Sequence, residues 1–386
     1  MNRTRFTRKI ASLSLVWLIS AAGWVLPGCD FKLPTPPPDL FYKYNVIPVG
    51  QGPAYLLSVD LNSDGNADIV SANAKDSTVS ILFGKGDGTF AANLTVRVPA
   101  EPTALAAGDL NNDGLIDLLV NARGAHMFSA LLGNKNGGFE KLKTQKTGRV
   151  PLSLILADYN NDGILDAAVT LTFDKMELYL GWGIGRFKKG ETYLTGSRSF
   201  SGVAADFDRD GNQDIALAAS SSNASSIRLF RGNGDGTFKK PSQIAHGLVP
   251  LTLIKKDMNA DGLPDLVCAS GKGDNLYMFY SNGDGTFKKE IPFAGGGGPI
   301  SLAAEDFNDD GLVDVAVANS RSSNFSLVVR MPGGLFRYPT RDYVVDGGTV
   351  LAITSADFND DGMKDIAVAS NAKNTVEIYL RRKIFK

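Results

Sequence analysis

Short apolar runs separated by polar, glycine-bearing turns fill the chain from Phe41 onward. None keeps the i, i+3, i+4 spacing of an amphipathic helix over a useful length. The most regular runs are IVSA, LLVN, AAVT, IALA, LVCA, VAVA and IAVA, starting at Ile69, Leu118, Ala167, Ile215, Leu266, Val315 and Ile366. Their near-continuous apolarity predicts strands buried on both faces. Each is preceded by a first apolar strand, such as Ala104 to Ala107. Each is followed, after a polar loop, by an alternating third strand, such as Val79 to Phe83 or Val376 to Leu380. A glycine-rich turn then ends in phenylalanine, where a fourth strand is expected to start: GKGDGTF at 84–90, GNKNGGF at 133–139, GWGIGRF at 181–187, GNGDGTF at 232–238 and SNGDGTF at 281–287.

Between the first and second strands lies the same nine-residue loop, seven times over. The copies are DLNSDGNAD at Asp60, DLNNDGLID at Asp109, DYNNDGILD at Asp158, DFDRDGNQD at Asp206, DMNADGLPD at Asp257, DFNDDGLVD at Asp306 and DFNDDGMKD at Asp357. Successive copies are 49, 49, 48, 51, 49 and 51 residues apart, and a fixed period of this kind marks a repeat architecture. Seven units of four antiparallel strands describe an all-β, seven-bladed β-propeller. Ring closure is legible too. The turn phenylalanines Phe90, Phe139, Phe187, Phe238 and Phe287 each stand 19 residues before the next loop, and so does Phe41 before Asp60. Residues 41–49 therefore read as a fourth strand without its own first three, while the last unit stops after three strands. The N-terminal strand is expected to complete the last blade.

The loop chemistry suits a hard cation. Oxygen-bearing side chains occupy positions 1, 3, 5 and 9, and a carbonyl at position 7 can join them. Calcium takes six to eight such oxygens, whereas magnesium prefers water and strict octahedral geometry. The expected ligands are Asp60, Asn62, Asp64 and Asp68; Asp109, Asn111, Asp113 and Asp117; Asp158, Asn160, Asp162 and Asp166; Asp206, Asp208, Asp210 and Asp214; Asp257, Asn259, Asp261 and Asp265; Asp306, Asn308, Asp310 and Asp314; and Asp357, Asn359, Asp361 and Asp365. Glycine at position 6 is expected because a Cβ would clash in so sharp a turn. One Asn-Asp-Gly run is compatible with an ordinary hairpin turn. Seven runs with every ligand position filled favour up to seven structural Ca²⁺, since carboxylates this close would otherwise repel one another.

The chain from about 41 to 386 resembles the FG-GAP/VCBS repeat proteins, the seven-bladed propellers similar to the head of integrin α-subunits. The calcium loops and GDGTF turns carry the resemblance. It implies a calcium-binding propeller that serves in adhesion, assembly or glycan binding. It also implies a partner face opposite the calcium loops, as in integrin propellers. Blade 6 departs in its turn, MPGGLF.

Composition adds an address and a charge pattern. Arg3, Arg5, Arg8 and Lys9 precede an apolar run at 10–26 and then Leu26-Pro27-Gly28-Cys29. This resembles a bacterial lipoprotein signal with Cys29 lipidated, giving a signal peptide at 1–28, a proline-rich tether at 29–40 and the propeller at 41–386; an uncleaved membrane anchor is the alternative. The expected location is outside the cytoplasmic membrane, periplasmic or at the cell surface. Cys268, in LVCAS, reads as a buried small hydrophobe. Lys and Arg total 40 against 41 Asp and Glu, with more than half of the acids in the seven loops. Calcium loading would therefore leave a basic protein suited to anionic partners.

The loops between second and third strands, opposite the metal loops, carry Lys75, Arg123, Lys175, Lys272, Arg321 and Lys373. They form a candidate basic partner face, although surface loops also carry cations for solubility. Nearby aromatics, Phe128, Phe173, Phe200 and Phe325, are either core or sugar-stacking platforms. Lys256 and Glu305 occupy matching positions in adjacent blades and suggest an ion pair; Lys255 suggests a charged channel. His126 and His246 lie in different blades, and no nucleophile elbow or phosphate loop is present. The expectation is a monomeric, non-enzymatic binding or scaffold module for an envelope protein or an anionic polysaccharide, with no nucleic-acid role; an enzyme accessory or hydrolase is the lesser alternative.

Overall fold

The computed structural model describes residues 37–135, 137–140, 143–220, 225–338 and 340–383. The signal peptide expected at 1–28 and Cys29 lie outside this range. The described residues form 28 strands, β1 to β28 in chain order, in seven four-stranded antiparallel sheets. The first complete blade runs β2 (Pro53–Val59), β3 (Asp68–Asn73), β4 (Thr78–Leu82) and β5 (Leu94–Arg97). Five more blades repeat that order.

The last blade contains β26 (Val350–Ala356), β27 (Asp365–Ser370) and β28 (Thr375–Arg381), with β1 (Phe41–Pro48) on its outer edge. β1 pairs antiparallel with β28, Phe41 opposite Arg381 and Pro48 opposite Thr375. The chain thus closes its ring as the 19-residue spacing predicts. Phe41 is buried edge-on against Phe307, Phe325 and Tyr343. The N–H groups of Leu40 and Phe41 donate to the Tyr343 hydroxyl. Lys43 bonds the fully buried Glu377 at 2.7 Å.

The second strand of each blade is buried along its whole length, as in Asp68–Asn73 and Asp365–Ser370. A strand with neighbours on both sides and a blade packed on either face has no solvent side, which is why its sequence does not alternate. Seven apolar clusters result, one in each seam between neighbouring blades. Cys268 is fully buried in one of them, and burial pushes its thiol pKa up.

One expectation needs correcting. The fourth strand starts at the turn phenylalanine only in β1 and in β13 (Phe187–Leu194). Phe90, Phe139, Phe238 and Phe287 each make an isolated bridge back across the turn, and the strand resumes beyond a gap. The ring of the phenylalanine, more than its backbone, sets its place: Phe90 packs on Phe358, Phe238 on Tyr159 and Phe287 on Phe207, each in the preceding blade's loop.

Candidate metal centres and the face opposite them

All seven acidic loops share one backbone shape. Position 4 is left-handed in each, at Ser63, Asn112, Asn161, Arg209, Ala260, Asp309 and Asp360, with φ between 54° and 59°. Position 6 is glycine with φ between 80° and 89°. The reason for glycine differs from the expected one. A Cβ at Gly65, Gly114, Gly163, Gly211, Gly262, Gly311 or Gly362 would meet nothing within 4 Å. The requirement is the dihedral, which residues bearing a Cβ adopt only at a cost.

Two left-handed residues curl the loop around its first aspartate. In the first copy, Asp60 Oδ1 accepts the Asp64 N–H at 3.2 Å and Oδ2 accepts the Gly65 N–H at 2.9 Å. Asn62 Nδ2 donates to Asp64 Oδ2 at 3.0 Å, and Asp64 Oδ1 accepts the Asn66 N–H at 2.8 Å. That last bond holds the Asp64 carboxyl below the usual carboxylate range. The first-aspartate bonds recur at Asp109, Asp158, Asp206, Asp257, Asp306 and Asp357. Positions 1, 3 and 5 therefore converge at the protein surface.

The fourth loop, with aspartate at all three, allows a test of fit. One oxygen from each of Asp206, Asp208 and Asp210 lies within 4.8 Å of the others. Asp208 Oδ1 is buried and has no hydrogen-bond partner. A buried carboxylate oxygen without a donor is costly, and a hard cation among three carboxylates would satisfy it. The residues present fit calcium. Arg231 Nε lies 3.4 Å from Asp208 Oδ2, and Lys239 Nζ 3.4 Å from Asp210 Oδ2, so this most acidic loop is also flanked by cations.

Position 9 behaves differently. Asp68, Asp117, Asp166, Asp214, Asp265, Asp314 and Asp365 are all fully buried. Each staples its blade through two backbone donors. Asp68 Oδ2 accepts the Leu61 N–H and Oδ1 the Gly84 N–H, both at 2.8 Å. The equivalent bonds hold Leu110 and Gly133, Tyr159 and Gly181, Phe207 and Gly232, Met258 and Ser281, Phe307 and Arg330, and Phe358 and Arg381. Asp214 is not part of the Asp206–Asp208–Asp210 cluster. Burial pushes the position-9 carboxyls up to about 6 at Asp68, Asp117, Asp166, Asp214 and Asp265, and to about 7 at Asp314 and Asp365. The two N–H bonds oppose the rise and the loop carboxylates add to it. Asp314→Ala should leave the N–H groups of Phe307 and Arg330 without their acceptor, costing about 2–6 kcal/mol. Urea unfolding in EDTA measures this apart from any metal; an unchanged midpoint would show that the staple does not stabilise the blade.

Position 2 anchors the loop in the core. Leu61, Leu110, Tyr159, Phe207, Met258, Phe307 and Phe358 are all buried. Their carbonyls also tie blades together: Gly88 donates to Phe358 O, Gly185 to Leu110 O, Gly236 to Tyr159 O and Gly285 to Phe207 O, at 2.8–3.1 Å. The acidic loops are thus part of the ring's own fastening.

The opposite face presents the loops between second and third strands. Lys75, Arg123, Lys175, Lys272, Arg321 and Lys373 are all exposed there. Arg123 bonds Glu101 at 3.4 Å, and Arg321 pairs with Asp274 of the neighbouring blade. Among the described residues, Lys75, Lys175, Lys272 and Lys373 have no carboxylate in ion-pair range. Residues 221–224 of the fourth blade's loop lie outside the described range. Phe128 and Phe325 are core residues, whereas Phe173 and Phe200 are exposed. Lys256 and Glu305 pair at 2.9 Å across adjacent inner strands. His126 Nδ1 accepts the Val150 N–H at 3.0 Å, which gives that histidine a place in the loop.

A model of the FG-GAP-like repeat matches residues 60–120, 158–217, 206–252, 257–317 and 306–368, every match starting on the first aspartate of a loop. The chain belongs to the FG-GAP-like repeat family. No curated protein matches it. Among solved structures, BBS1N in complex with ARL6DN, soaked with lead, is similar at a TM-score of 0.63 and 12% identity, covering 90% of this chain and 98% of that one. The mercury-soaked form of the same complex matches at the same TM-score and identity, covering 89% and 98%. At this identity the likeness is one of fold.

Proposed function

We propose that this FG-GAP propeller is a calcium-stabilised, lipid-anchored module outside the cytoplasmic membrane, docking an acidic protein partner on the face opposite its metal loops. The observation that carries the reading is the set of four exposed lysines on four different blades: Lys75, Lys175 and Lys272, and Lys373, which feels the charge of Asp346. Unpaired charge spread round a rigid ring steers and orients an oppositely charged partner. The similar propeller of BBS1N is seen in complex with a second protein, which supports a docking role for the fold. Calcium would serve the ring by neutralising the converging carboxylates, and the residues at 29–40 would hold the body off the membrane.

The four lysines, rather than Arg123 and Arg321, are the residues to reverse, because the arginines already have acids. Crosslinking in cells followed by capture in calcium should recover a stoichiometric protein. Lys75→Glu with Lys272→Glu should lower that recovery by about tenfold or more, since each lost close charge pair is worth about 1.5 kcal/mol or more. Reversal of Lys188 and Lys240, away from this face, should leave it unchanged. Equal recovery from all variants would overturn the docking face. The exposed Phe173, beside Lys175, keeps a second reading open: an acidic polysaccharide stacked on an aromatic ring. In that case the capture would yield glycan instead of protein.

A further inference from the structure

The innermost strands of all seven blades line an axial cavity of about 710 Å³ that opens to solvent. Its walls are leucine, isoleucine, valine, alanine, serine and threonine, with one glycine, one phenylalanine, one tyrosine and a single cation, Lys255. The fold does not call for that cation. The equivalent positions of the other blades hold Ser58, Ala107, Leu156, Ala204, Ala304 and Ser355. Lys256 is accounted for by Glu305. Lys255 has no carboxylate in ion-pair range among the described residues; its Nζ donates to the Ala204 carbonyl. An ammonium has three donors, so two remain for whatever occupies the cavity.

The other end of the cavity is apolar by construction. Each inner strand carries a β-bulge near its start, between Pro250 and Thr252 in β18 (Pro250–Lys256) and at the matching place in the other six blades. A bulge re-aims the extra side chain. In five consecutive blades that residue is large and apolar: Leu152, Phe200, Leu251, Ile300 and Leu351. All five line the cavity, and Phe200 is 43% exposed. From the level of Leu251 to that of Lys255 is roughly 13 Å along an extended strand.

We infer that the axial cavity binds a small monoanionic amphiphile, a carboxylate on an alkyl or aryl body, with the carboxylate on Lys255 and the body among the collar of bulged residues. The volume falls in the range of small-molecule sites, which are mostly apolar with a few placed polar groups. One cation matches one negative charge; a second would be left uncompensated between apolar walls. Two wall hydroxyls are committed within the wall, Thr252 to the Ile300 carbonyl and Ser201 to the Leu253 N–H, while Thr103 Oγ1 has no partner.

The test is photo-crosslinking of the full chain in its own membranes, in calcium, with a diazirine-bearing decanoate. Label should map to 250–256 and 299–305. Excess decanoate should remove it and decanol, its neutral counterpart, should not. Lys255→Met should lower labelling of those strands about tenfold or more, the loss of a charge-assisted hydrogen bond, while Lys255→Arg retains it. The decanoate–decanol comparison is made on the wild-type protein, so it stands even where a variant folds poorly. Equal competition by decanol, or equal labelling of 250–256 in Lys255→Met, would overturn the site. Lys75→Glu with Lys272→Glu should not change the labelling, which separates this site from the partner face.

Discussion

Removing calcium with EDTA should lower the thermal midpoint by about ten degrees. The size follows from mass action. Extracellular-type calcium sites bind at roughly 10⁻⁴–10⁻³ M. At about 2 mM free calcium, each site then contributes roughly 0.6–1.8 kcal/mol through binding the folded state alone. Seven sites sum to about 5–12 kcal/mol, comparable with the whole stability of an ordinary domain. The effect is not confined to the loops. Position 2 of a loop is buried in a seam, and its carbonyl holds the next blade's turn, as Phe358 holds Gly88. A loop that loosens without its cation therefore loosens a seam. Differential scanning calorimetry with calcium, with EDTA, and with EDTA followed by excess calcium measures it. Excess magnesium should restore less, because it sheds water reluctantly. A midpoint indifferent to thorough chelation would remove calcium from the account of this fold.

Truncation of the closing strand at its anchor should be strongly damaging. Phe41→Ala should cost about 3–5 kcal/mol, the usual range for deleting a buried phenylalanine. Its ring meets Phe307, Phe325 and Tyr343, side chains that arrive in the last third of the sequence. The change therefore weakens the strand through which the start of the propeller joins its last blade. Lys43→Met should also destabilise, by about 3–5 kcal/mol at most, because it strands the buried Glu377 carboxylate without its cation. Urea unfolding of both variants, each compared with Leu94→Ala on an exposed outer strand, gives the measurement. A loss at Phe41→Ala no greater than at Leu94→Ala would mean that closure does not limit the stability of the ring.

The repeat, the blade count, the antiparallel four-stranded unit and the donation of residues 41–48 to the last blade are all readable without coordinates. Each rests on a feature that side chains display: a spacing, an alternation, or its absence in strands such as Ile69 to Ala72. The convergence of oxygens at positions 1, 3 and 5 is equally legible, since it resides in side chains.

Four features needed the tertiary structure. The two backbone staples of position 9 were invisible because their donors are N–H groups, and any residue offers one: glycine at 84, serine at 281, arginine at 330. The glycine at position 6 was legible, but its reason was a dihedral rather than a collision. The pairing of Arg123 with Glu101 and of Arg321 with Asp274 depends on which loops a closed ring brings side by side. So does the isolation of Lys255, which stands next to Lys256 in the chain yet meets no acid where the blades converge. Sequence determines what each blade is, because a strand's burial and a loop's ligands are written locally. Which charges meet across neighbouring blades, and which face the axis alone, is decided only when the ring closes, because those distances belong to no single repeat.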